Sequence, residues 1–397
     1  MSDIEGRPCR HAARGGLGAV LGAKGVKAVV IRSTANPSLN VALPDLLKEK
    51  SQALAKALAA NPVTGQALPC LGTAVLVNMV NAMGALPTRN FSSGRFEGAE
   101  NISGEKMAGI QGPRGGKGGH PCHPGCVIRC SNIYNNAQGD YLTSGLEYET
   151  LGMLGANCGI DDLDTIARAD RLCDDYGLDT IETEAAIAIM MEQGLASFGD
   201  REALIGLIHE AGKGSLLGRL IGQGAAVTGR VLGAGRIPQV KGQSLASYDP
   251  RGLKGTGVTY TTSPMGADHT AGNTLGHPAV NPVEKAGQIE VSRDLQTLMA
   301  TMDNLGLCLF VFFCFDNPEN LQYVADIVRA RTGREVSVGD LMAVGAQTLA
   351  GERAFNARAG IGAAHDVIPE FFSTEHLGGD GPVFDFTAEE LQRVYGR

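Results

Sequence analysis

Residues 161–192 read DDLDTIARADRLCDDYGLDTIETEAAIAIMME, and this stretch decides that the chain is mostly helical. Apolar residues recur at helical spacing as far as Tyr176, Gly177-Leu178 breaks the run, and a second helical segment begins beyond Asp179. A helix commonly ends on a Gly in the left-handed conformation, followed by an apolar residue that packs back on the last turn. The pattern returns at Asp303-Asn304-Leu305-Gly306-Leu307-Cys308, where it closes another amphipathic segment. A third copy, Asp249-Pro250-Arg251-Gly252-Leu253, contains Pro and reads as a turn. The first two copies differ from ordinary caps in the Asp or Cys just beyond Leu178 and Leu307. There a side chain and freed backbone groups can meet a polar ligand together.

The other helices follow the same signals. PDLLKEKSQALAKALAAN, from Pro44, has helical spacing and stops at Asn61-Pro62. Helices are expected at 160–176, 180–194, 201–212, 215–229, 287–305, 317–332, 340–357 and 387–395. Ser337 with Asp340, and Thr387 with Glu390, supply start signals. Residues 84–140 are rich in Gly, Pro and Asn and read as a long functional loop, and 231–250 reads as a linker or domain boundary. Two strands are expected, a short buried one at Val26–Ile31 and a second at Val258–Thr262.

With 397 residues the chain can build two or three domains. A net charge of −8 argues against a nucleic-acid groove, which needs a basic stripe. The 55 glycines follow no collagen period, so they indicate tight turns and close backbone approaches. The residues after Met1 lack the apolar core of a signal peptide, and the apolar run Leu307–Phe315 is too short to span a bilayer. A cytoplasmic protein without a membrane segment is expected, and its nine cysteines then point to metal rather than disulfides.

Cys122-x3-Cys126-x3-Cys130 is the strongest local signal. Three thiolates this close can hold one face of an iron–sulfur cluster, with a distant fourth such as Cys308 or Cys314 closing it. A zinc site that uses His120 or His123 is the alternative, as are unligated thiols. Glu149, in GLEYET, is a candidate general base or a solvated acid flanking a helix. His269, in TTSPMGADHTAG, is a candidate proton donor or a surface histidine. No P-loop and no dinucleotide-binding Gly fingerprint is present.

Taken together, RGGLGAVLGAKGVKAVVIR, EYETLGMLGANCGIDDLDTI, DDYGLDTIETEAAIAIMME, VKGQSLASYDPRG, TSPMGADHTAG and DNLGLCLF resemble the aldehyde ferredoxin oxidoreductase family, the tungsten-pterin enzymes. The resemblance runs nearly end to end. It implies a tail of the family's β-rich first domain at 1–36, a helical second domain at 37–238 and a helical third domain at 239–397. It also implies a tungsten (or molybdenum) bis-pterin cofactor contacted by Arg14, Asp174, Gly177, Leu178, Asp179, Asp303, Gly306 and Leu307. A [4Fe–4S] cluster would sit on Cys122, Cys126, Cys130 and Cys308. Glu149 would help activate water, and His269 would hydrogen-bond the aldehyde oxygen. The implied reaction oxidises an aldehyde to a carboxylic acid, with ferredoxin as the electron acceptor.

Two departures stand out. The family's usual Cys-x2-Cys-x3-Cys spacing becomes x3 in its first interval, with His123 at the expected position, so Cys122 or His123 is the first cluster ligand. Members also carry a long β-rich domain before the RGGLGAV stretch, where this chain has about thirteen residues. The chain then reads as a C-terminal fragment, a split-gene product or the product of a mis-assigned start. The alternative expectation is an inactive fragment, or a split subunit working with a separate N-terminal chain, that binds an iron–sulfur cluster but lacks the full cofactor cradle. The family tends to form dimers, but no Glu/His pair suited to an interfacial iron is evident in the sequence.

Overall fold

The computed structural model describes residue 11, residues 14–32 and residues 40–396. In chain order, α1 spans Leu17–Ala23, α2 Pro44–Ala60, α3 Leu76–Met83 and α4 Gly104–Gln111. Strands β1 (Lys117–His120), β2 (Ser131–Asn135) and β3 (Tyr141–Ser144) form an antiparallel sheet in the order β1-β2-β3. Next come α5 Leu163–Tyr176, α6 Thr180–Glu192, α7 Arg201–Lys213, α8 Leu216–Ile221 and α9 Gly224–Leu232. A hairpin of β4 (Gln239–Val240) and β5 (Gln243–Ser244) precedes α10 Lys254–Thr262, α11 Gln288–Leu305, α12 Pro318–Thr332 and α13 Val338–Arg358. The fold is thus mostly helical, as the sequence indicates.

Local signals set most helix ends. Gly177 and Gly306 adopt positive φ (70° and 65°). The Leu178 N–H donates to Cys173 O at 2.8 Å and the Leu307 N–H to Met302 O at 3.0 Å, so the two copies form the same cap. Ser337 and Thr387 both close complete capping boxes, with Asp340 and Glu390.

Two apolar cores hold the helices. The larger one runs from Ala74 to Val394 and contains residues on both sides of position 238, such as Ala225 and Val240. The smaller one joins Leu54 and Leu58 of α2, Ile128 and Cys130, the end of α11, and Val324 and Leu341 of α12 and α13. Each Leu or Ile fully buried in these cores contributes about 1.5–3 kcal/mol of transfer free energy.

Five local expectations change. Val26–Ile31 forms no strand among the described residues; Val30 is 90% and Ile31 88% exposed, and no neighbouring strand offers backbone partners. Val258–Thr262 lies in helix α10, not in a strand, although Thr and Val favour sheets. Every residue of α10 is buried, and Thr262 Oγ1 donates back to Val258 O at 2.8 Å, which satisfies a hydroxyl inside an apolar core. Gly257 lets α10 meet Phe384, because a Cβ there would lie 2.5 Å from that ring.

The helix expected at 215–229 breaks into α8 and α9 at Gly222-Gln223. Gly224 turns at φ 79° beside Glu182, whose Oε1 accepts the Ala225 N–H at 2.9 Å. The stretch 231–250 holds the β4–β5 hairpin and a fully buried run at 244–250, so it is not an exposed linker. The expected loop at 84–140 contains α4, β1 and β2. Among the described residues, one helical run, Val63–Met83, is long and apolar enough by composition to cross a membrane. It is interrupted at Gly72, where φ is 62°, and Leu68, Ala74, Val77 and Val80 pack into the two cores.

Candidate active site

The turn after β3 carries Glu149 into the larger core, and the loop after α10 brings His269 against it. Glu149 Oε2 accepts the Ser247 N–H at 2.7 Å, while Oε1 lies 3.3 Å from His269 Nε2. This approach requires Gly152, since a Cβ at that position would fall 1.8 Å from Ser247 Oγ. The Tyr148 hydroxyl donates to Ser247 O at 2.5 Å, and the Tyr248 ring packs 5.6 Å from the His269 ring. The two candidate proton carriers therefore face each other on a rigid aromatic floor.

Arg14 reaches the same place from the N-terminal segment. Its Nη2 donates to Ser244 O at 2.6 Å, its Nη1 to Asp268 Oδ1 at 3.4 Å, and its Nε lies 3.6 Å from Asp179 Oδ2. Asp179 also caps α6 by accepting the Glu182 N–H at 3.1 Å. Burial raises the Asp179 pKa, and the Arg14 charge opposes that rise. Asp174 lies at the other end of the cap, 3.2 Å from His11 Nε2.

Asp303 and Asp268 line one cavity of about 650 Å³ between the loop after α10 and helices α11 and α13. Burial, then the Asp268 charge, raises the Asp303 pKa. Around Glu149 and His269, on residues that do not line that cavity, five buried polar atoms have no hydrogen-bond partner: Arg14 Nε, Glu149 Oε1, Ser247 Oγ, Tyr260 Oη and His269 Nδ1. Buried polar atoms in folded proteins are normally satisfied, so such a group suits a polar ligand with several donors and acceptors, as a pterin is. The sequence singled out Arg14, Glu149, Asp179 and His269 separately, and the structure gathers them. Asp268, Ser247 and Tyr260 were not singled out, although Asp268 and Ser247 lie inside two of the family-like stretches.

The cysteines behave differently. Cys122, Cys126 and Cys130 lie on the loop between β1 and β2, and Cys126 Sγ accepts the Arg129 N–H at 3.3 Å. Cys130 is buried in the smaller core, against which Leu307 and Leu309, on either side of Cys308, also pack. Even so, among the described residues no three His, Cys, Asp or Glu side chains are gathered closely enough to hold a metal ion. The donor chemistry suits an iron–sulfur cluster, and the two segments share one core, but the four sulfurs are not assembled.

The mostly helical fold thus gathers a buried polar site from segments far apart in the chain. A family model described as "Aldehyde ferredoxin oxidoreductase, domains 2 & 3" matches residues 49–395, and the chain belongs to that family. The tungsten-containing aldehyde ferredoxin oxidoreductase of Pyrococcus abyssi is 35% identical over 94% of the chain, and that of Pyrococcus horikoshii 34% over 94%. In both cases the chain spans 63% of the relative's length. The solved structure titled active site complex BamBC of benzoyl coenzyme A reductase in complex with 1,5-dienoyl-CoA shares the fold. It has a TM-score of 0.71 at 16% identity and covers 96% of this chain and 66% of its own.

Proposed function

We propose that this protein works as a tungsten (or molybdenum) pterin oxidoreductase that converts an aldehyde and water to a carboxylic acid, two protons and two electrons. The observation that carries this reading is the contact between Glu149 Oε1 and His269 Nε2 inside a cluster of unsatisfied buried polar atoms. Glu149 takes a proton from the attacking water, held in place by the Ser247 N–H. His269 hydrogen-bonds the aldehyde oxygen and stabilises the charge that develops there. Arg14, Asp174, Asp179 and Asp303, with the capped turns at Gly177-Leu178 and Gly306-Leu307, would grip the pterin. The metal, when bound, polarises the carbonyl as a Lewis acid.

Cys122, Cys126, Cys130 and Cys308 are the donor set for a [4Fe–4S] cluster, with ferredoxin as the external acceptor. Support for the cluster rests on four thiolates carried by two segments that pack on one core. The test is anaerobic purification followed by metal analysis and aldehyde-dependent reduction of a viologen dye. Tungsten or molybdenum, iron, and dye reduction are expected. Protein without iron and without either heavy metal would overturn the reading.

A further inference from the structure

We propose a second ligand site, outside the cluster around Glu149 and His269, that binds a small carboxylate anion on the guanidinium of Arg353. The site is a cavity of about 380 Å³ between α13 and the C-terminal turn, lined by Arg353, Lys241, Asp366, Gln392 and Tyr395, among others. That volume suits an acid of benzoate size.

Charge within the cavity is unevenly satisfied. Lys241 Nζ lies 2.7 Å from Asp366 Oδ1 and donates to Thr261 O at 2.6 Å and Ser263 O at 3.0 Å, so its three protons are used. Asp366 Oδ2 accepts the Tyr395 hydroxyl at 2.7 Å. Arg353 stacks on the face of Tyr395, 4.1 Å from its Cζ, and feels the Tyr395 hydroxyl and the charges of Asp366 and Glu352, but its buried Nε has no hydrogen-bond partner. No carboxylate among the described residues lies at ion-pair distance from Arg353, and burial pulls its pKa down. A buried guanidinium Nε–H without an acceptor is costly, and a carboxylate presents two oxygens that match the guanidinium fork.

The neighbouring cavity carries the opposite sign. It shares Pro264 and Asn356 with this one but is lined by Asp268, Asp303 and Glu352, with no Lys or Arg. Adjacent residues of α13, Glu352 and Arg353, thus line two cavities of different charge. An anion avoids the first and is attracted to the second.

Binding of benzoate and of benzamide to the 397-residue protein, followed by saturation-transfer NMR and calorimetry, tests the site. Benzoate should bind and neutral benzamide bind at least about tenfold more weakly, the expected scale for a charged hydrogen-bonded pair. Arg353→Gln should weaken benzoate by a similar factor, whereas Arg353→Lys should retain part of the affinity. Benzoate binding that Arg353→Gln leaves unchanged in folded protein, or no benzoate binding to the wild type, overturns the proposal. If Arg353→Gln does not fold, equal affinity for benzoate and benzamide in the wild type has the same consequence.

Two sources supply a carboxylate, the product acid of the proposed oxidation and a separate effector acid. Binding to the Arg353 site only of acids whose aldehydes the protein oxidises assigns the product, and equal binding of acids whose aldehydes it does not oxidise assigns the effector. The binding arm does not depend on turnover, so absence of aldehyde oxidation counts against the proposed function and not against this site.

Discussion

Asp170 offers a quantitative test of how the core is built. It sits on α5 one turn before Asp174 and is buried, with Oδ2 accepting from Thr143 Oγ1 at 2.7 Å and Oδ1 from Thr150 Oγ1 at 3.4 Å. Burial, followed by the charge of Asp174, pushes its pKa up to about 8. An unfolded aspartate titrates near about 3.9. Between those values the unfolded chain has lost the proton while the folded chain keeps it, so unfolding releases a proton. Rising pH therefore favours unfolding, beginning above roughly pH 4 and levelling off once the folded carboxyl ionises near about pH 8.

At about 1.4 kcal/mol per pH unit, the interval from roughly pH 5 to pH 8 removes on the order of 4 kcal/mol through this one group. Asp170→Asn keeps the shape and the acceptor but cannot ionise. Urea unfolding of wild type and variant across that interval should give curves that diverge with pH, the variant being the more stable at pH 8 by a few kcal/mol. Taking the difference between the two proteins cancels the titration of every other group. A difference that stays constant within about 1 kcal/mol from pH 5 to pH 8 would refute the reasoning.

Two further outcomes follow from the same geometry. Asp249 and Arg251 form a pair at 2.6 Å with almost no exposure, so Arg251→Met strands a buried carboxylate and should cost about 3–5 kcal/mol in denaturant unfolding; the double variant with Asp249→Asn should recover part of that loss, and a single-variant cost below about 1 kcal/mol would remove the pair from the account of stability. Glu149→Gln removes the proposed base but keeps an acceptor for the Ser247 N–H, so kcat for aldehyde oxidation should fall about 10²–10⁴-fold with little change in thermal stability, and unchanged kcat would exclude Glu149 from proton transfer.

The sequence by itself determined what short-range forces decide. Apolar spacing and the Gly177 and Gly306 caps specify the helices, because capping and periodicity act within one or two turns. The capping boxes at Ser337 and Thr387 start two more helices for the same reason. Residue chemistry also singled out Glu149, His269 and the cysteines as reactive groups. Sequence could not decide how distant segments meet.

Val258–Thr262 became a helix because its burial on every side, with close approach at Gly257, outweighed the sheet preference of Thr and Val. Val26–Ile31 formed no strand because a strand exists only with partners, which its own letters do not encode. The meeting of Glu149 with His269, the convergence of Arg14 on Asp179 and Asp268, and the unsatisfied buried Nε of Arg353 belong to the tertiary structure. Packing of the large core brings together segments far apart in the chain, and no local pattern records that distance.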